Sequence, residues 1–141
     1  MLYDAVETPG DLTPDALLAA YFEELAAVVA DLGVDTVVEG TGLDRPSVVA
    51  IGDGKTPPLT LEEAAEILAL SDGAPSAEDI AWEARDHLLM GMTTAVLDVD
   101  TIARETKTDL DGKEVQQAIE GRLPTTLTEF ARIQQFIGSR R

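Results

Sequence analysis

Val48-Val49-Ala50-Ile51-Gly52-Asp53-Gly54-Lys55-Thr56 has the outline of a strand running into a phosphate-binding loop. Such a loop needs glycine five residues before its Gly-Lys pair, so that the backbone can curl around phosphates, and Val49 holds that place. A related stretch further on, Gly121-Arg122-Leu123, has no hydroxyl to offer Mg²⁺. Asp109-Leu110-Asp111-Gly112 has the middle of a calcium loop, yet the first ligand position would be Lys107 and the closing acidic position Ala118. A cation as first ligand contradicts that chemistry, and a helix-capping turn is the simpler account. His87 is the only histidine, with Glu83 one helical turn before it. A metal site needs several ligands placed together. Glu62, Glu63 and Glu66 read as a solvated, capped helix face rather than an acid/base pair. There is no cysteine, so thiol catalysis, disulfides and cysteine metal sites are excluded. These failures point to a non-enzymatic protein without cofactor, metal or nucleotide.

The elements that carry these residues must be built with few aromatics, which make up 4% of 141 residues against 45% hydrophobic overall. Alanine, valine, leucine and isoleucine therefore fill the core, a composition suited to close-packed helices and too apolar for a disordered chain. No apolar run approaches the ~18 residues that would span a bilayer, and Met1 to Gly10 lacks a basic leader region. Cytoplasmic location, without membrane contact, is the expectation. The net charge is −17, from 27 acidic and 10 basic residues. The acids are spread among apolar-faced segments rather than gathered in blocks. That distribution fits a folded protein kept hydrated in concentrated salt; a mesophilic acidic protein is the alternative.

Ala30 to Val37 reads ADLGVDTV, and 65 residues later Ala95 to Ile102 reads AVLDVDTI. The likeness continues through Thr41 and Thr106, Val48 and Val115, Gly54-Lys55 and Gly121-Arg122, and Pro57 and Pro124. It ends on two helix starts, Thr60 with Glu63 and Thr126 with Glu129, both at capping-box spacing. The matches keep their order, with two extra residues in the second copy near Thr108 to Asp111 and one fewer after Pro124. An internal duplication is expected, divided at the breaker cluster Ser71-Asp72-Gly73-Ala74-Pro75-Ser76. The organisation read from this is an N-terminal extension over 1–12, a first module over 13–71, a linker over 72–76 and a second module over 77–138. Each module should hold four helices: a long one, a short one, a third opening after Asp44 or near Asp111, and the capped last one. Trp82, Met90 and Met92 fall on the second long helix, either as packing or as an exposed dimer face. Leu2 and Tyr3 should dock onto the other half or onto a partner chain.

Long helix, short helix, tight turn, short helix, Gly-basic loop and helix is an order that resembles the Cro and C1 repressor family. Thr36 to Val48 is similar to its helix-turn-helix core, and so is Thr101 to Thr106 followed by Val115 to Arg122. Gly42 keeps the turn glycine in the first copy; Ala103 keeps the small contact residue in the second. The whole chain also resembles an uncharacterised haloarchaeal family of unknown function. The expected fold is all-α, a tandem pair of helix-turn-helix-like four-helix modules.

The repressor resemblance implies a recognition helix whose outward residues enter the major groove. In the first copy these are near Arg45, Ser47, Val49 and Ala50, a poor reading set. In the second they are near Lys113, Glu114, Gln116 and Gln117, where glutamine can pair with adenine and lysine with guanine. Arg104, Lys107 and Arg122, with Arg140 and Arg141, could line the same face. The charge is split accordingly: residues 1–75 hold 2 basic and 15 acidic side chains, and residues 76–141 hold 8 and 12. Double-stranded DNA bound through the second module is the leading expectation, in a transcription-associated regulator. The alternatives are a protein-interaction adaptor, with a protein partner or as a homodimer, and an acidic DNA mimic.

Overall fold

The computed structural model describes residues 2–106 and 108–140. Eight α-helices follow one another: α1 (Pro14–Leu32), α2 (Val34–Gly40), α3 (Arg45–Gly52), α4 (Leu61–Leu68), α5 (Ala77–Ala95), α6 (Val99–Glu105), α7 (Gly112–Ile119) and α8 (Leu127–Ser139). The architecture is all-α. Two short 3-10 turns, Leu2–Asp4 and Pro9–Asp11, precede the helices. The only extended pairing among the described residues is a single antiparallel bridge between Thr60 and Thr126.

The helices begin where side chains can satisfy their first amides. Thr13, Asp44, Thr60, Ser76, Asp98, Asp111 and Thr126 each accept from the backbone N–H three residues on. Such a cap contributes about 1 kcal/mol. The full reciprocal box forms at Thr60 with Glu63, and also at Asp111 with Glu114. At Thr126 only half of the expected box forms. Glu129 turns its carboxylate to the Thr108 hydroxyl and to Arg132 Nη1 at 3.2 Å. It is thereby spent on holding the loop after α6. Gly42 needs no glycine conformation either: positive φ falls instead on Gly54 and Gly121, which close the loops after α3 and α7.

The two halves meet through their fourth helices. α8 lies against α1 and α5, and α4 lies against α5 and α1. At the α4 and α8 starts the halves exchange backbone hydrogen bonds, Leu61 N–H to Thr125 O at 2.7 Å and Leu127 N–H to Leu59 O at 2.9 Å. The core between them is continuous, from Leu17, Tyr21 and Leu25 of α1 to Phe130, Ile133 and Ile137 of α8. The Tyr21 ring tilts onto Phe130 with centroids 5.7 Å apart, and its hydroxyl donates to buried Gln134. Burial pushes the Tyr21 phenol well above its usual range.

The N-terminal extension docks on the second half, as its apolar start implied. Leu2 is buried, Tyr3 O–H donates to Glu83 at 3.0 Å, and Gln134 Nε2 donates to Tyr3 O at 3.0 Å. Gln134 thus has a partner for both ends of its amide, which makes its burial affordable in hydrogen-bond terms. The extension crosses α8 backbone to backbone: a Cβ on Gly10 would lie 2.4 Å from the carbonyl carbon of Gly138.

Candidate functional site

The recognition helix expected in the second half is α7. Its buried face is Val115, Ala118 and Ile119; Lys113, Gln116 and Glu120 are exposed and Gln117 is half-buried. The structure brings three of these groups together, with Glu120 at the centre. Gln116 Nε2 donates to Glu120 Oε1 at 2.9 Å, and Arg122 forms an ion pair with the same carboxylate. The Gln116 hydrogen bond, helped by Arg122, holds the Glu120 carboxyl below its usual range. Two of the expected DNA-contacting side chains are therefore occupied by an acid of their own helix end. Lys113 and Arg104 are exposed and take no part in this cluster. Lys107 and Arg141 lie outside the described residues.

The other arginines are also met by acids. Arg140 pairs with Glu105 at 2.8 Å and covers the Phe136 ring at 4.8 Å. Arg132 pairs with Glu129, Arg45 with Asp35, and Arg85 with Glu62. Among the described residues the guanidiniums of Arg45, Arg85, Arg122, Arg132 and Arg140 each stand beside a carboxylate, and Lys113 and Arg104 have no ion pair within 4 Å.

What lies beside α7 is apolar. α1 and α5 are both 19 residues long and begin 63 residues apart. At that offset their burial agrees: Leu17, Tyr21, Leu25, Val28 and Val29 correspond to Ile80, Ala84, Leu88, Gly91 and Met92, all buried. The outer positions differ in kind. Where α1 has Ala19, Ala26 and Ala27, α5 has Trp82, Leu89 and Met90, which are 62%, 51% and 62% exposed. The first half shows that alanine suffices there for folding. Packing accounts for Met92; Trp82 and Met90 are exposed, so for these two the exposed-face alternative is the one that fits. The bulk is turned to solvent because the stripe that α4 and α8 cover lies on the opposite side of α5.

A second difference opens the space next to these side chains. α3 and α7 are both eight residues long and begin 67 residues apart. Gly52 closes α3 against α1, where a Cβ would lie 3.1 Å from Val29 Cγ1. The corresponding pair in the second half is Ile119 and Met92, too large for the same approach. The longer connection, 106–111 against 41–44, gives α7 the slack to stand away from α5. Two adjoining clefts result, of about 240 and 360 Å³, which share Leu89, Ile119 and Glu120. Trp82 and Asp86 line the first, Met92 and Val99 the second.

The end of α5 adds an exposed β-branched residue in a strained place. Val96 has φ +56° and ψ +51° and is 89% exposed; its counterpart after α1 is Gly33 at φ +87°. A left-handed conformation costs an ordinary residue about 1–2 kcal/mol, offset in part by glycine's larger chain entropy. Val96→Gly should therefore raise the unfolding free energy in urea by about 0.5–1 kcal/mol. A loss of stability would show that the valine side chain supports the fold.

A separate cavity of about 430 Å³ lies between the start of α1, the end of α6 and α8, lined by Asp15, Glu105, Thr106, Arg132 and Gln135 among others. Its charges are of both signs and set no nucleophile beside a base. Among the described residues no three His, Asp or Glu side chains are placed to hold a metal ion, and no helix is long and apolar enough to cross a membrane.

Between packing and an exposed face at Trp82 and Met90, three signals in the sequence favour the exposed face. Trp82, Leu89 and Val96 are spaced seven apart; Leu88 to Leu97 holds no charged residue; and the 63-residue offset sets bulk against alanine. Aligning the halves at 65 residues, as the ADLGVDTV likeness does, hides the last signal, because α5 and α6 are joined by three residues where α1 and α2 are joined by one.

Among known protein families, residues 17–140 match the family of unknown function DUF5791. None of the curated proteins and none of the solved structures compared matches the chain.

Proposed function

We propose, from the premise that the chain belongs to this family of unknown function, that the protein is a non-enzymatic interaction module whose second half receives a helix of a partner protein in the cleft between α5 and α7. The observation that carries this reading is the exposure of Trp82, Leu89 and Met90 at positions where α1 makes do with alanine. Exposed apolar patches that the fold does not need mark contact surfaces. Tryptophan in particular is enriched among residues that dominate binding energy. The two halves fit an internal duplication in which one copy stayed a scaffold and the other gained a binding face. The dispersed acidic surface fits a salt-adapted cytoplasm, as in the archaea that the sequence resemblance implies.

DNA recognition through α7 keeps one specific support. Lys113 and Arg104 are exposed and make no ion pair within 4 Å among the described residues. Against it, a −17 protein lacks the cationic surplus that supplies phosphate affinity by counterion release.

A photo-crosslinking residue at Leu89, or in a second protein at Ala26, separates the readings inside cells. Protein adducts at position 89 and not at 26 are expected. Nucleic-acid adducts from a crosslinker at Gln116, with no protein adduct at 89, would overturn the interaction reading and restore the DNA one.

A further inference from the structure

We infer that the occupant of the α5–α7 cleft is an amphipathic helix with an apolar seam at heptad spacing and lysine or arginine on its flanks. This rests on the interaction reading above and names the partner's chemistry. Trp82 and Leu89 are seven residues apart on one face of α5, and Val96, the left-handed cap just past its end, lies seven further on in the sequence. Of the residues between, Arg85 is turned to Glu62 and Met92 is buried. Apolar residues seven apart stand two turns apart on one face, where a second helix laid lengthwise can cover both. Trp82, Leu89 and Val96 are exposed, so these three side chains are left uncovered. Ile119 on the far wall gives the docking helix a second apolar surface, shared by both clefts.

The charge of the flanks follows from the rim. Arg85, Asp86 and Glu120 border the cleft beside Trp82; Arg85 is paired with Glu62 and Glu120 with Arg122, so Asp86 is the rim acid outside those pairs. Glu78, Asp79 and Glu83 continue the acidic surface along the first two turns of α5. The second half of α5, Leu88 to Leu97, is uncharged. A partner helix therefore meets acids along one end of its path and an apolar, hydroxyl-bearing surface along the other. Complementary charge at such a rim raises encounter rate and selects among partners, while the apolar seam supplies most of the affinity. A second copy of this chain fits less well, because it would bring another surface of net −17 against the same acidic rim.

Trp82 is the only tryptophan, so its emission reports occupancy of the cleft directly. The probes are two synthetic helices without aromatic residues, both with leucine at heptad seam positions, one flanked by lysine and the other by glutamate. They are titrated into the intact protein in KCl of about 0.15 M, where the Debye length is about 8 Å, and again above about 1 M. The lysine-flanked helix should shift Trp82 emission to the blue and saturate. Leu89→Asp should weaken it by at least about tenfold. Ala27→Asp, on the exposed face of α1 at the position corresponding to Met90, should leave it unchanged. The two variants add the same charge, so they separate seam contact from general attraction to an acidic protein. Binding of both helices with equal strength at about 0.15 M would overturn the basic flank while leaving the docking reading intact. Equal effects of Leu89→Asp and Ala27→Asp, or no shift with either helix, would overturn both. Concentration-dependent dimers that Leu89→Asp dissolves, seen by sedimentation, would make a second copy the occupant and overturn this assignment.

Discussion

Expressed separately, residues 1–72 and 75–141 should each fail to show a cooperative unfolding transition, and mixing them should restore one. Each fourth helix is the reason. α4 buries Leu61, Ala64, Ala65, Ile67 and Leu68, and α8 buries Leu127, Phe130, Ile133 and Ile137, along surfaces shared by both halves. Removing one half strips contacts equivalent to several large-to-small core substitutions. A single Phe→Ala change of this kind costs about 3–5 kcal/mol, and a whole domain is stable by only about 5–15 kcal/mol. The first half would also lose the Tyr21–Gln134 bond and the Phe130 ring, and the second would lose the Leu2 and Tyr3 strap. Circular dichroism against temperature checks this. Two separate cooperative melts would show instead that each half closes a core of its own, with the shared surface a late embellishment.

Most of the helix plan was legible because it is written in local chemistry. Thr13-Pro14, Asp44 and Thr60 announce helix starts through hydrogen bonds spanning three residues. The candidate site was not legible in the same way. Lys113, Gln116, Gln117 and Arg122 were picked for what their side chains could offer to DNA. That Glu120 lies one turn beyond Gln116 on the same face follows from their spacing of four, but that Arg122, past the helix end, turns back to the same carboxylate does not. The cleft depends on still less local facts. Gly52 opposite Val29 and Ile119 opposite Met92 are pairings between helices, and only the folded register turns a glycine-to-isoleucine difference into an opening. For Trp82 the sequence leaves packing and an exposed face both open, because tryptophan is highly buried on average and the average takes no account of the alanine 63 residues earlier.

Lowering KCl from about 2 M to 0.1 M should reduce the melting temperature of this protein by 10 °C or more, on the order of 3 kcal/mol of stability. The Debye length grows from under about 3 Å to about 10 Å over that range, so carboxylates that do not sense one another in molar salt begin to repel. The net charge of −17 is distributed over both halves, −13 in residues 1–75 and −4 in residues 76–141, and five of the arginines that could relieve it are already committed to local pairs. Such self-repulsion opposes the compact state. The same salt also strengthens apolar burial to a lesser degree, so the effect needs a control that changes charge alone. Glu23→Gln, Asp31→Asn and Glu39→Gln together alter three exposed acids of the first half without touching the core, which takes the net charge from −17 to −14. If repulsion governs the salt response, the triple variant should melt higher in 0.1 M KCl and differ little in 2 M. If the variant tracks the parent at both salts, the acidic surface is not what makes the fold depend on salt, and the salt-adapted reading falls. The N-cap acids Asp44 and Asp98 must be left in place, since hydrogen bonds from the Ser47 hydroxyl and amide to Asp44, and from the Thr101 amide and hydroxyl to Asp98, hold both carboxyls below their usual range. Their charge supports α3 and α6 even while it adds to the total, so the useful distinction in this protein is between acids that cap a helix and acids that only face one another across water.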